Sequence, residues 1–312
     1  MTIRSSSCTQ PPLAPRTVGG AEPGRPAGLP DAGAILGRAA GENFRVASRL
    51  LPAASRAHLL AFYGYARLVD QIGDDYQGDR LAALDWVGDQ VETALRSPDV
   101  PGLHPLVAAA ARSVLEVGAD PGALRDLVAA NRMDQTVATY ASFHDLVGYC
   151  ELSANPVGRL VLAAFGADTA LRRRWSDSVC TGLQIAEHLQ DVAEDAAAGR
   201  CYLPREDMER FGVHADDLTG GPPAGTELRG LMTFEVSRAR TLLQAGTALV
   251  ASLPGRQKWA VAGFVAGGRA ALDAVAAAGF DPLCGAARPR PVRVAAQMLS
   301  LLRPYRPARE AT

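Results

Sequence analysis

Two short acidic stretches, each set inside an apolar segment, constrain this chain most. RLVDQIGDD contains Asp70 and Asp74, and QIAEHLQDVAED contains Asp191 and Asp195. Residues four apart share one face of a helix, so each pair brings like charges together at a small cost in helix stability. A hard cation would offset that repulsion, and magnesium is usually held by one or two carboxylates together with substrate phosphates. The spacing predicts a Mg²⁺ site that binds a diphosphate, with a solvated acidic face as the alternative.

Basic and aromatic residues lie at useful offsets from both pairs. Arg67 comes three residues before Asp70, and Tyr63 comes four before Arg67. Arg200 and Tyr202 follow the second pair. Arginine binds phosphate oxygens with two parallel hydrogen bonds. We expect the two arginines and Tyr202 to bind the substrate and the Tyr63 hydroxyl to take part in catalysis.

Helical periodicity predicts an all-α fold. Apolar residues recur at helical spacing from residue 31 nearly to the end, and no alternating strand pattern or fixed repeat is present. Residues 1–30 are rich in Pro, Gly and Ser and are expected to be disordered. The 48% apolar content suffices for a large core, in one large domain or two small ones. We predict that residues 31–312 form a single all-α domain.

Composition excludes several classes of function. A net charge of −1 offers no electrostatic basis for binding nucleic acid. The five cysteines show no metal-ligand spacing, which favours a reduced cytoplasmic location. No N-terminal signal peptide or membrane-spanning segment is expected. Lys258 is the only lysine, and nothing near it suggests Schiff-base chemistry.

Four segments together resemble the squalene/phytoene synthases. They are ENFRVASRLLP (42–52), RLVDQIGDD (67–75), YCELSANPVGRLVL (149–162) and QDVAEDAAAGRCYLP (190–204). The resemblance extends over about residues 41–281, and the first and third segments are most similar to the hydroxysqualene synthase branch of hopanoid biosynthesis. It implies an isoprenoid-synthase-like helical bundle in which the two aspartate motifs face each other across a central apolar cavity.

The resemblance also implies a reaction. A Mg²⁺-dependent carbon–oxygen lyase of this branch converts presqualene diphosphate and water to hydroxysqualene and diphosphate. The implied partners are a long-chain isoprenoid diphosphate and a presqualene diphosphate synthase that hands it over. Two alternatives stay open: a head-to-head prenyl transferase that makes presqualene diphosphate, squalene or phytoene, and a non-catalytic relative that serves in assembly or lipid binding.

The resemblance adds further candidate residues. Tyr149 stands where the family has a tyrosine in the cavity wall, and Phe44 and Gln184 complete the predicted substrate-binding set. Glu187 stands where Asn is common in the family. It is either a further metal ligand or a surface charge.

Within SANPVGRLVL, the pair Asn155-Pro156 departs from the Gly-Thr-like pair of related synthases. Proline disfavours α geometry at the residue before it, so a helix break is expected at Asn155. That break would aim Asn155 at the cavity as a polar group that positions water, or it is an ordinary kink. Arg159, four residues later, binds phosphate or forms a structural ion pair.

The C-terminal segment 288–309 contains six arginines among prolines and apolar residues. A plain helix with a basic tail is the favoured interpretation. Peripheral association with an anionic membrane and closure over the cavity are the alternatives.

Overall fold

Every regular element that the structure describes is helical, which confirms the predicted fold class. The computed structural model describes residues 24–39, 51, 53–221 and 223–303. Within these ranges the α-helices are α1 (Ala32–Ala39), α2 (Ala53–Asp74), α3 (Arg80–Arg96), α4 (Pro105–Val117), α5 (Gly122–Asp134), α6 (Phe143–Ser153), α7 (Asn155–Ala164), α8 (Ala170–Gln190), α9 (Val192–Ala197), α10 (Arg205–Phe211), α11 (Thr226–Ser252), α12 (Gly255–Ala277) and α13 (Pro291–Leu302). Two short 3₁₀ helices, Ala215–Leu218 and Pro282–Cys284, lie between the last four.

Local sequence signals explain where several helices begin and end. The side chain of Ser142 accepts a hydrogen bond from the backbone of Asp145, and the Asp145 carboxylate accepts one from the backbone N–H of Ser142, so α6 starts with a capping box. Thr169 caps α8 through its hydroxyl. Gly118 ends α4 in the left-handed conformation, at φ 66°. Such signals stabilise helix ends by about 1 kcal/mol each.

The hydrophobic core is continuous and is centred on α8. This helix packs against α7, α11 and α12, while α2 packs against α4, α5 and α7. The Tyr65 side chain of α2 is fully buried, and its hydroxyl donates to the carbonyl oxygen of Leu124 in α5 at 2.7 Å. The two helices that carry much of the site are therefore joined both by packing and by a buried hydrogen bond.

Two glycines allow helices to approach closely beside the cavity. A Cβ atom at Gly73 in α2 would clash with the carboxamide of Asn131 in α5. A Cβ at Gly158 in α7 would come within 2.5 Å of Cys180 Sγ in α8. Since real Cβ contacts are longer, both positions require glycine to keep this helix spacing.

By length and composition alone, α12 could cross a membrane. Yet 56% of its most apolar window is buried inside the fold, where it packs against α8, α11 and α13. Core helices of globular proteins share these properties. The helix gives no strong sign of a membrane-spanning protein.

Part of the N-terminal segment that is expected to be disordered lies within the described residues. Residues 24–30 form turns, and the carbonyl oxygen of Ala27 accepts a hydrogen bond from the Tyr76 hydroxyl at 2.9 Å. Leu29 packs against the core. The prediction for residues 1–23 falls outside the described part of the chain.

Candidate active site

A cavity of about 500 Å³ lies between α2, α5, α6, α7, α8, α9 and the segment that follows α9. Its walls carry acidic, basic, aromatic and aliphatic side chains. Both aspartate pairs predicted from the sequence lie in these walls, one contributed by α2 and the other by the end of α8 and by α9. The two acidic stretches therefore face a single space.

The first aspartate pair lies on an unbroken helix. Arg67, Asp70 and Asp74 follow one another along the cavity face of α2. The side-chain amide of Asn131 donates to Asp70 Oδ1 at 3.4 Å. Burial raises the pKa of Asp70 to about 6, and the hydrogen bond from Asn131 opposes that shift, while the negative charges of Asp74 and Glu187 add to it. Glu187 belongs to α8 and lines the same cavity as Asp70, so carboxylates of both acidic helices face this space.

The second aspartate pair spans a junction between helices. The predicted continuous helix is interrupted at Asp191, where φ is −107° and ψ is 13°, so α8 ends at Gln190 and α9 begins at Val192. Hydrogen bonds from Asp191 N–H to Glu187 O (3.1 Å) and from Asp195 N–H to Asp191 O (2.8 Å) keep the helical spacing across the break. Burial raises the pKa of Asp191, with further contributions from Asp195 and Glu187.

A short segment that follows α9, residues 198–206, brings Arg200 across the cavity; we call it the return segment. The backbone N–H of Arg200 donates to Asp195 O at 2.8 Å, and the N–H of Cys201 donates to Ala138 O at 2.8 Å. The guanidinium Nη2 of Arg200 then lies 3.4 Å from Asp74 Oδ1. One cationic side chain thus links the segment that follows the second pair to the first pair.

A half-buried carboxylate and three aromatic rings complete one wall. Tyr149 and Tyr202 donate through their hydroxyls to the two oxygens of Asp134, at 2.9 and 3.3 Å. The imidazole of His188 stacks on the Tyr202 ring with 3.6 Å between centroids. Its Nδ1 lies 3.7 Å from Asp195 Oδ2. Burial raises the pKa of Tyr149 above its usual range and that of Tyr202 to about 12, so both hydroxyls remain donors.

The lining changes from charged to apolar along two helices. On α8 it passes from Asp191 back to Leu183 and Cys180, and on α5 from Asp134 back to Leu127. Each change takes two to three helical turns. A ligand with an anionic head and a hydrocarbon body would match both ends.

The carboxylates suit a hard cation that a ligand helps to hold. Within the described residues, no three His, Cys, Asp or Glu side chains are close enough to hold a metal ion without other ligands. Magnesium does not need such a cage, because substrate phosphates and water usually complete its coordination. Burial raises the pKa of both Asp70 and Asp191, and neighbouring carboxylates add to each shift, so a cation would be favoured here. The donor set therefore fits Mg²⁺ bound together with a diphosphate.

The sequence pattern of the squalene/phytoene synthase family matches residues 38–298. The chain belongs to this family. It is 34% identical over 213 residues to the hydroxysqualene synthase of Rhodopseudomonas palustris, covering 68% of this chain and 71% of the relative. It is 30% identical over 223 residues to the phytoene synthase of Mycobacterium tuberculosis, covering 70% and 72%.

A solved family structure has the same helical fold. The squalene synthase HpnC from Alicyclobacillus acidocaldarius is 37% identical to this chain, with a TM-score of 0.74, over 79% of this chain and 92% of the other. The resemblance inferred from the four sequence segments is confirmed. The family acts on isoprenoid diphosphates, which accords with a cavity that is charged at one end and apolar at the other.

Most of the site residues predicted for this squalene/phytoene synthase family member line the cavity. These are Asp70, Asp74, Asp191, Asp195, Glu187, Arg67, Arg200, Tyr202, Tyr149 and Gln184. Their chemical roles stay predictions. Phe44 lies outside the described residues.

Three predicted site residues do not line the cavity. Asn155 is only 3% exposed, and its side-chain oxygen accepts a hydrogen bond from Thr181 at 3.1 Å, so it is not the inward polar group that the helix break suggested. Arg159 binds both oxygens of Asp177, at 3.0 and 2.9 Å, beside a separate surface cavity. Tyr63, one turn before Arg67, is half-buried outside the lining. The helix break changes the direction of the chain, but the Asn155 side chain is buried between helices rather than in the cavity wall.

Sequence reasoning missed four polar residues of the lining. Asn131 and Asp134 lie one turn apart on α5, where a buried face carries polar groups. His188 lines the cavity one turn after Gln184. Ser153 ends α6, and its buried hydroxyl has no hydrogen-bond partner among the described residues. The only sequence signal for these four residues was their helical spacing from other residues of the site.

Proposed function

We propose that the protein is a Mg²⁺-dependent hydroxysqualene synthase, which ionises presqualene diphosphate and captures the resulting cation with water. The observation that carries the proposal is the pairing of two facing carboxylate pairs and two arginines with an apolar continuation of the same cavity. The 34% identity to a hydroxysqualene synthase supports the choice of reaction.

In this proposal the charged end binds the leaving group. Asp70, Asp74, Asp191 and Asp195 hold Mg²⁺, and Glu187 is a further candidate ligand. The metal, when bound, supplies positive charge that stabilises the departing diphosphate. Arg67 and Arg200 bind diphosphate oxygens directly, and the Tyr202 and Tyr149 hydroxyls hold the nearby wall in place through Asp134.

The apolar end then controls the fate of the carbocation. Leu127, Val157 and Leu183 exclude most water, so the cation meets only what the wall admits. Ser153 lies in this lining, and its hydroxyl has no described protein partner. We assign to Ser153 the water-positioning role that the sequence suggested for Asn155. Water attack on the cation forms the C–O bond, and the oxygen then loses a proton to solvent water to give the alcohol.

The decisive experiment supplies presqualene diphosphate and Mg²⁺ in ¹⁸O-labelled water, without a nicotinamide cofactor. A labelled C30 alcohol and released diphosphate are expected. An unlabelled alcohol would refute water capture. Consumption of farnesyl or geranylgeranyl diphosphate in its place would favour the prenyl transferase, and absence of turnover on every substrate would favour the non-catalytic alternative.

Ser153 variants test the water-positioning role separately. Ser153→Ala should shift the products toward elimination or rearrangement more than it slows diphosphate release. A tenfold change in partition corresponds to only about 1.4 kcal/mol between competing barriers. Ser153→Thr keeps a hydroxyl and is the matched control. If Ser153→Ala gives the same proportion of labelled alcohol as the unaltered protein, the assignment to Ser153 is wrong, whatever the main reaction.

A further inference from the structure

The helix α13 exposes an apolar face as well as burying one. Val294, Gln297, Met298 and Leu301 face inward, and Gln297 donates to Asp273 of α12 at 2.9 Å. On the other side Val292 is 70% exposed and Leu299 is 63% exposed. These two residues are seven apart and Ala296 lies between them, so they form one stripe along the helix.

This stripe is unusual within the described part of the chain. Val292 and Leu299 are the two most exposed of its large hydrophobic side chains. A helix that is apolar on all sides is normally buried on all sides. The outer face of α13, defined by Val292, Ala295, Ala296 and Leu299, is therefore suited to contact something beyond the described residues.

The charged residues of the segment that carries this face are all arginines. Residues 285–303 contain Arg288, Arg290, Arg293 and Arg303 and no acidic residue, although the whole chain has a net charge of −1. All four arginines are exposed. Basic charge beside an exposed apolar stripe matches an anionic lipid surface, which offers phosphate groups above a hydrocarbon layer.

We propose that the outer face of α13 and the arginines that flank it bind an anionic membrane surface. Other occupants fit the charge less well. A second copy meeting this face about a two-fold axis would bring arginines against arginines. The remaining C-terminal residues 304–312 carry two more arginines and one glutamate, so they do not complement the charge either. The proposal concerns where the protein works and does not depend on which reaction it catalyses.

Binding to vesicles tests the proposal with the full-length chain. Sedimentation should recover the protein with vesicles in which about a third of the lipid is phosphatidylglycerol, and much less with pure phosphatidylcholine. High salt should weaken the binding, since it screens exposed charges. Arg290→Gln/Arg293→Gln should reduce partitioning by more than tenfold, because each arginine near an anionic surface contributes about fivefold. Val292→Ser/Leu299→Ser should also reduce it.

Matched variants separate this face from general surface properties. Arg56→Gln/Arg174→Gln removes two exposed arginines from α2 and α8, and Leu115→Ser/Leu171→Ser removes two exposed leucines from α4 and α8. Both controls should bind vesicles like the unaltered protein. Equal loss in the control and α13 variants would overturn the proposal, as would equal binding to both kinds of vesicle. Concentration-dependent dimers that only the Val292→Ser/Leu299→Ser variant loses, without vesicle binding, would show a self-interface instead.

Discussion

The two aspartate pairs resemble each other in sequence but are held differently. Asp70 and Asp74 belong to the unbroken α2 (Ala53–Asp74), and a side chain of a second helix, Asn131, donates to Asp70. Asp191 lies at the junction between α8 and α9, and Asp195 lies on α9, which has only six residues. A long packed helix fixes the first pair, whereas short segments and side-chain contacts fix the second.

This difference suggests a division of labour. The first pair is a rigid reference because α2 packs against α4, α5 and α7. The second pair depends on His188, on the return segment 198–206 and on the wall that Asp134 organises. Short segments with few buried contacts open locally at low free-energy cost. We expect the second pair to adjust when a diphosphate binds, while the first pair stays in place.

The largest expected effect comes from removing one carboxylate charge in either pair. Asp70→Asn and Asp191→Asn should each lower turnover by about a hundredfold or more, as is common when one electrostatic contribution to a transition state is lost. Helical content should not change. Diphosphate release measures turnover, and circular dichroism measures the fold.

Asp75→Asn is the matched control for these variants. Asp75 follows Asp74 directly but lies outside the cavity lining, so its loss should leave turnover nearly unchanged. Near-normal activity of Asp70→Asn or Asp191→Asn, or full activity in EDTA, would contradict the proposed metal site.

A smaller effect should distinguish the supports of the two pairs. Asp134→Ala leaves the Tyr149 and Tyr202 hydroxyls without their common acceptor, and we expect about a tenfold loss of activity, in line with the cost of unpaired buried polar groups. Amide hydrogen exchange should become faster in segment 198–206. Asn131 supports the first pair instead, so Asn131→Ala should leave amide exchange in segment 198–206 unchanged. Equal rates of amide exchange in segment 198–206 of the two variants would show that the two aspartate pairs are not supported by different contacts.

Two glycine substitutions compare the stiffness of the two regions. Gly73→Ala drives a Cβ into Asn131, which also donates to Leu127 O at 3.2 Å, so we expect a loss of about 1–3 kcal/mol in the free energy of unfolding. Gly199, beside the second pair, has φ +79° with nothing near its Cβ position. Gly199→Ala should cost only about 1 kcal/mol from backbone strain. Urea unfolding measures both, and a larger loss for Gly199→Ala would reverse the comparison.

The sequence predicted the charged end of the cavity well for a physical reason. Four-residue spacing places Asp70 with Asp74 on one helix face regardless of what packs around it. For Asp191 and Asp195 the same spacing survived a helix break, because backbone hydrogen bonds continue through it. Local rules were sufficient wherever the relevant geometry is local.

Sequence patterns were insufficient where contacts between distant segments decide the position of a side chain. The break at Asn155 was located correctly, but Thr181 on another helix determines where its side chain is buried. For Arg159 the sequence left phosphate binding and a structural ion pair open, and the structure shows the ion pair, with Asp177 eighteen residues away. Asp134 and Ser153 carry no local signature, and only the packing of α5, α6 and α8 brings them to the cavity. Such assignments require the tertiary structure.

The smallest expected effect concerns pH and the apo protein. The pKa of Asp70 is raised from 3.8 to about 6, chiefly by burial, so the folded state holds a proton that the unfolded state has lost between these values. Protonated Asp70 contributes fully to the stability of the folded state below about pH 4, and this contribution is lost as pH rises through 6. In EDTA, the Tm of Asp70→Asn relative to the unaltered protein should therefore increase between pH 4 and pH 6 and then level off. We expect a change of about 2 °C, because partial solvent access weakens the effect.

Excess Mg²⁺ should abolish or reverse the difference in Tm at pH 7, since only the carboxylate binds the metal well. A flat difference for Asp70→Asn would mean that Asp70 is no more buried than an ordinary surface carboxylate.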